Sequence, residues 1–151
     1  GMHCLLKFPD QAARLKADPA LLPTAVQEMI RFESPLPFFH RYATEDVTIA
    51  GTAYPRGTKF GLLYGAANRD PAVFEAADSF DVGRKPNRHL AFGGGAHFCL
   101  GNHLARLDME IIFGSLLART RAIELAEPAV IYKRGLSVRG PKRLGLRLVP
   151  A

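Results

Sequence analysis

The segment Phe92-Gly93-Gly94-Gly95-Ala96-His97-Phe98-Cys99-Leu100-Gly101 concentrates residue types able to do chemistry. Three consecutive glycines free the backbone for conformations other residues avoid, and let it approach a flat ligand closely. Cys99 stands where an apolar helical periodicity begins, and the unpaired N–H groups and positive dipole end of a helix favour an anion there. A thiolate facing a shaped glycine loop suits a soft metal ligand or a nucleophile. Local chemistry leaves several readings open. The plainest makes Cys99 a small buried residue and the glycines a tight turn. His97, Cys99 and His103 form an incomplete zinc set, with no fourth ligand nearby and no familiar spacing. A phosphate-cradling loop wants a Lys-Ser or Lys-Thr pair at the helix start, and Leu100-Gly101-Asn102 offers none. A catalytic cysteine paired with His97 or His103 is a further option, although spacing alone fixes no geometry.

Helices and short strands must position this loop. Leu100, Leu104, Leu107 and Ile111 recur at helical spacing, with Ile112 and Leu116 widening the face, so 100–118 reads as a helix. Residues 9–33 also read as helical. Pro9-Asp10 opens a first segment that stops at Asp18-Pro19. A second follows, with Thr24 and Gln27 fitting a capping box, Val26, Met29 and Ile30 forming a stripe, and Pro35 and Pro37 ending it. From Arg41 to Leu63 the period changes. Val47 and Ile49 alternate with polar neighbours, and Ala50-Gly51 and Tyr54-Pro55-Arg56-Gly57 are turn chemistry, which predicts short strands in a small antiparallel sheet. Residues 65–91 hold one short helix and then an irregular stretch, and so long a connection points to function or a surrounding partner. After Pro128 strands return, with Leu144, Leu146 and Leu148 alternating with polar or small residues. The class is α+β, a single domain over 1–151. Residues 1–7 read as a poorly ordered start or an expression scar, Gly1 standing ahead of Met2.

Composition bounds the function. Of 151 residues, 48% are apolar and 23% charged, which is ordinary globular usage. Lys and Arg total 20 against 14 acids, a net charge of +6 that suits an anionic ligand or acidic partner. The charges form no run, so they do not indicate nucleic acid. Two cysteines, Cys4 and Cys99, build no disulfide framework, and the expected compartment is the reducing cytoplasm. No stretch reaches the ~20 apolar residues of a membrane span, and the N-terminal apolar run is too short for a signal peptide.

Phe92-x-x-Gly95-x-x-x-Cys99-x-Gly101 resembles the haem-binding loop of cytochrome P450, and Cys99-Leu100-Gly101-Asn102-His103-Leu104-Ala105-Arg106 resembles the family's bacterial, soluble branch. Glu28-Met29-Ile30-Arg31 is similar to its Glu-x-x-Arg helix. Ala67-Asn68-Arg69-Asp70-Pro71, Ser79-Phe80-Asp81-Val82 and His89-Leu90-Ala91-Phe92 resemble family segments in the right order. The resemblance runs from about Phe8 to Val149 and implies the C-terminal portion of the P450 fold. It implies Cys99 as the thiolate ligand of the iron of haem b, a ligand that pushes electron density onto iron and favours O–O cleavage. Phe92 would pack beside the sulfur. Gly95 and Gly101 would let the loop pass under the porphyrin, with Gly93 and Ala105 in the same site. Arg41 and His97 match positions that bind haem propionates. Glu28 and Arg31 would form a buried structural pair whose third cation is in doubt: Ser79 sits where many relatives carry arginine, leaving Arg84 or His89.

The implied activity is a monooxygenase module fed by a ferredoxin- or flavodoxin-type donor, with Arg69, Arg84, Lys85 and Arg106 contributing to a positive docking face. Complete family members are much longer, and their long helix over the distal haem face has no counterpart here. Leaving roughly 150 Å² of porphyrin wet forfeits ~4 kcal/mol, which is several hundredfold in affinity. The alternative is therefore a truncated, catalytically incompetent P450-like fragment that folds or self-associates without stable haem. Its uncovered apolar surface predicts a homo-oligomer.

Overall fold

The computed structural model describes residues 1–135 and 137–151. Helix α1 (Met2–Lys7) leads through Phe8 into α2 (Pro9–Ala17), where Pro9 occupies a first-turn position that needs no N–H. The expected poorly ordered start is corrected here. Met2, Cys4 and Leu5 of α1 are buried with Leu15, Met29, Phe32, Phe80, Val82 and Phe113, so apolar contact anchors a helix too short to persist alone. Asp18 ends α2, and its carboxylate accepts the Ala20 N–H at 3.1 Å to start a 3₁₀ turn, Pro19–Leu21.

That turn feeds directly into α3 (Leu22–Phe32). Leu21 is already right-handed helical, at φ −74 and ψ −8, so the extended cap conformation is not used. Thr24 consequently lies inside the first turn, its hydroxyl donating to the Leu21 carbonyl at 2.8 Å, and the capping box with Gln27 does not form.

Strand β1 (Phe39–Tyr42) pairs antiparallel with β4 (Lys59–Leu62), setting Arg41 opposite Phe60. Between them β2 (Val47–Ile49) and β3 (Thr52–Tyr54) make a separate hairpin. Its two-residue turn puts Ala50 at φ 49 and Gly51 at φ 79, the handedness that matches strand twist. The expected single small sheet is thus two two-stranded ladders. After α4 (Tyr64–Ala67) the chain carries no strand or α-helix until α5 (Asn102–Arg119). Helix α5 runs straight into β5 (Thr120–Leu125), which pairs with β6 (Leu146–Pro150). Leu144 and Leu146 pack on the core, whereas Leu148 is exposed.

Helix α5 is apolar on two sides. Met109, Phe113, Leu116 and Leu117 face the core. The stripe seen in the sequence faces outward except at Leu116: Leu100, just ahead of α5, is 99% exposed, Leu104 63% and Ile111 60%. The architecture is α+β, helices beside small antiparallel ladders. Among the described residues no helix is long and apolar enough to cross a membrane.

Candidate functional site

An apolar cleft of about 500 Å³ opens beside the glycine loop, within the range of roughly 300–1,000 Å³ usual for small-molecule and cofactor sites. Ile30, Pro35 and Leu36, at and beyond the end of α3, form one wall. Phe39 and Arg41 line it together because alternate residues of β1 share a face. Ala91, Phe92, Gly93, His97 and Cys99 come from the loop, and Ala105 and Met109, four apart on α5, complete the lining. Arg41, Phe92, Gly93, His97, Cys99 and Ala105 are therefore brought together. Gly95 and Gly101 belong to the loop but do not line the cleft. Ile30, Pro35, Leu36, Phe39, Tyr64 and Met109 are lining residues that sequence reasoning missed; only the alternation of Phe39 with Arg41 signalled one of them.

Local backbone chemistry shapes the loop. The Cys99 N–H donates to the Phe92 carbonyl at 2.9 Å and the Phe98 N–H to the Gly95 carbonyl at 3.0 Å, closing a compact turn. Gly93 and Gly95 take φ values of 71 and 61, which glycine reaches without strain. Gly101 has an ordinary φ of −82, a conformation that does not require glycine. A Cβ added at Gly94, Gly95 or Gly101 would meet nothing within 4 Å. Cys99 is half-buried and a free thiol, three residues before α5. The His97, Cys99 and His103 zinc set is not assembled: no group of three metal-ligating side chains occurs among the described residues.

The Arg41 guanidinium donates to the His40 carbonyl at 2.8 Å and lies 5.2 Å from the Phe39 ring centre. No carboxylate pairs with it among the described residues. A free thiol, an uncompensated guanidinium and an imidazole on apolar walls suit a flat, apolar, metal-centred ligand with an anionic edge. Haem fits that donor set.

A buried ionic network supports the loop from behind. Glu28 and Arg31 are both 0% exposed. Arg31 grips Glu28 in a two-pronged pair at 2.7 and 2.8 Å, and donates to the carbonyls of Asn68, Ala77 and Ser79. Arg84 is the third cation, its Nε reaching Glu28 at 3.1 Å. His89 instead contacts Gln27 at 3.1 Å. Burial, helped by Arg106 and Arg31, lowers the His89 pKa to about 4, so its ring is neutral at neutral pH. Asn68, fully buried, extends the network: its oxygen accepts the Leu90 N–H at 2.7 Å, tying the chain just ahead of Phe92 to Arg31. These bonds explain how 24 residues without regular structure between Asn68 and Ala91 hold one path.

The cytochrome P450 family model matches residues 16–147. The chain belongs to the cytochrome P450 family. Cytochrome P450-terp of a Pseudomonas species is 44% identical over 147 residues, covering 97% of this chain and 34% of that protein. The biotin biosynthesis cytochrome P450 of Bacillus subtilis is 47% identical over 124 residues, covering 82% of this chain and 31% of its own length. A crystal structure of P450BioI with an acyl carrier protein carrying hexadec-9Z-enoic acid superposes with a TM-score of 0.94 at 41% identity, over 97% of this chain and 38% of that one. The chain spans about a third of the length of the curated relatives it matches.

The proposed docking cations are mostly committed inside the P450 fold. Arg69 pairs with Asp78 and lies 3.6 Å from the Phe32 ring centre. Arg84 joins Glu28, and Arg106 bonds Gln27 and Asn102. Of the four, Lys85 alone is exposed with no bond to another side chain among the described residues.

Proposed function

We propose that this chain carries the haem-thiolate site of a bacterial P450 monooxygenase, with Cys99 as the iron ligand. The observation that carries the reading is one apolar cleft lined at once by Cys99, Arg41 and His97. Thiolate-ligated haem, when bound, supplies oxygen activation for insertion of one oxygen atom, using electrons from a redox protein. The residues of this chain bind and orient. Cys99 would offer sulfur from a turn fixed by its own N–H, and Arg41 and His97 would supply cationic and N–H donors for the propionates. Phe92, whose ring centre lies 4.6 Å from the Arg106 guanidinium, would shield the sulfur side from water. Ile30, Leu36, Ala105 and Met109 offer apolar contact, and Glu28, Arg31 and Asn68 hold the loop in register.

A ferredoxin- or flavodoxin-type donor is the partner this reading implies: Lys85 is exposed, and the chain's net charge of +6 favours an acidic partner. Two free cysteines are consistent with a cytoplasmic setting. The outward stripe on α5 supports a second statement: the 151-residue chain on its own self-associates through Leu104, Leu107 and Ile111. Hemin titration tests the main reading. Reduction under carbon monoxide should give the ferrous carbonyl band of thiolate-ligated haem, and Cys99→Ala should abolish it. Wild-type chain that binds hemin without that band, or leaves it unbound, overturns the reading.

A further inference from the structure

We infer that Arg106 is a positioning residue for the Cys99 loop, anchored by Gln27 of α3 and acting through Asn102. The Asn102 side-chain amide donates to the Cys99 carbonyl at 2.7 Å, and its backbone N–H donates to the same oxygen at 3.3 Å. Asn102 is buried, and its side-chain oxygen accepts from Arg106 Nη1 one helical turn further on. With that oxygen held by a guanidinium, the amide NH₂ is the end left to face Cys99.

Arg106 is itself held. Its Nε donates to Gln27 Oε1 at 3.2 Å, and its guanidinium lies over the ring of Phe92, whose carbonyl receives the Cys99 N–H at 2.9 Å. Arg106 therefore touches the residues at both ends of the loop. Gln27 Oε1 also accepts from His89 Nε2 at 3.1 Å, while His89 Nδ1 accepts the Ala91 N–H at 3.3 Å. One side-chain oxygen on α3, adjacent to the buried Glu28, thus joins the stretch before the loop to the helix after it. None of the ion pairs among the described residues involves Arg106, so its charge strengthens these hydrogen bonds. The brace bears on function only if Cys99 is the sulfur ligand, as proposed above, because the direction of a ligand is set by the groups behind it.

The test reads Cys99 without needing haem. Alkylation of the haem-free chain by iodoacetamide, followed by mass spectrometry, separates half-buried Cys99 from buried Cys4. Gln27→Leu and Asn102→Ala should each speed Cys99 alkylation about fivefold, the population change that one net hydrogen bond carries. Gln27 and Asn102 share no hydrogen bond in the structure, yet the double variant should be no faster than the faster single. Gln27→Leu should have no effect once Arg106→Met is present, and Gln27→Glu, which keeps an acceptor for Arg106, should retain the slow rate. An unchanged rate in Gln27→Leu, or multiplying effects in the double variant, overturns the brace. Hemin dissociation constants on the same variants should follow the alkylation pattern. Coupled alkylation in a chain that shows no thiolate-ligated haem would uphold the brace and overturn the haem reading.

Discussion

Replacing Glu28 by glutamine keeps the shape of the side chain and removes one negative charge from a site with no access to water. In the structure its carboxylate accepts from Arg31 Nε at 2.7 Å, Arg31 Nη2 at 2.8 Å, the Asp81 N–H at 3.0 Å, Arg84 Nε at 3.1 Å and Asn87 Nδ2 at 3.1 Å. A glutamine oxygen can stand for Oε1, but the NH₂ then faces donors from Arg31 and Asn87. Only the Asn87 side chain can adapt, since its Oδ1 has no partner and a flip would present that acceptor. Arg31 cannot, being fully buried, so its charge loses its counterion. Breaking a buried pair from one side costs about 3–5 kcal/mol, a large fraction of a stability of roughly 5–15 kcal/mol. At about 2–4 °C per kcal/mol for a chain of this size, the midpoint should fall by roughly 6–20 °C. Thermal melts followed by far-ultraviolet circular dichroism measure it. Arg14→Ala serves as the reference: its 2.7 Å pair with Asp81 is solvent-exposed and should matter by less than about 1 kcal/mol. A Glu28→Gln midpoint within about 2 °C of wild type would refute the assignment of this network as the support of the loop.

Other outcomes follow from single features. The His89 pKa falls from 6.5 to about 4 in the folded chain, so the unfolded chain binds the extra proton between those values, and the stabilisation is present above pH 6.5 and lost as pH falls toward 4. The loss is at most about 3 kcal/mol, roughly half that after screening at a partly exposed ring, and urea midpoints at pH 7 and pH 4.5 should show it in wild type but not in His89→Gln. Gly95 sits at φ 61 with open space around a new Cβ, so Gly95→Ala should cost about 1 kcal/mol through the backbone alone, visible as a small drop in urea midpoint. Ser replacing Leu104, Leu107 and Ile111 together should shift the chain to smaller species in size-exclusion chromatography, because these side chains expose apolar surface without touching the core.

The α+β class and several residues that line the cleft were legible in the sequence, whereas parts of the scaffold were not. Local chemistry left the Phe92–Gly101 loop open between several readings, and the family resemblance singled out Cys99 and the Glu28-Arg31 pair, because that pattern is linear. Arg84 as third cation was open between two residues, because choosing it over His89 requires knowing which side of α3 the irregular stretch crosses. Helix α1 was illegible for a similar reason: six residues show under two turns of periodicity, and their order comes from burial against Met29 and Phe113. Strand β5 follows α5 with no breaker, and Ala-Ile-Glu-Leu suits a helix equally well; its pairing with β6 decides the matter. The outward face of α5 was readable as apolar, but its periodicity could not separate it from the second apolar side that meets the core.

The most direct test of the central claim is X-ray absorption at the iron edge of hemin-loaded chain. The account predicts a single sulfur scatterer bonded to iron in the wild-type chain and its disappearance in Cys99→Ser. An iron shell of nitrogen and oxygen alone, unchanged by that substitution, would contradict it.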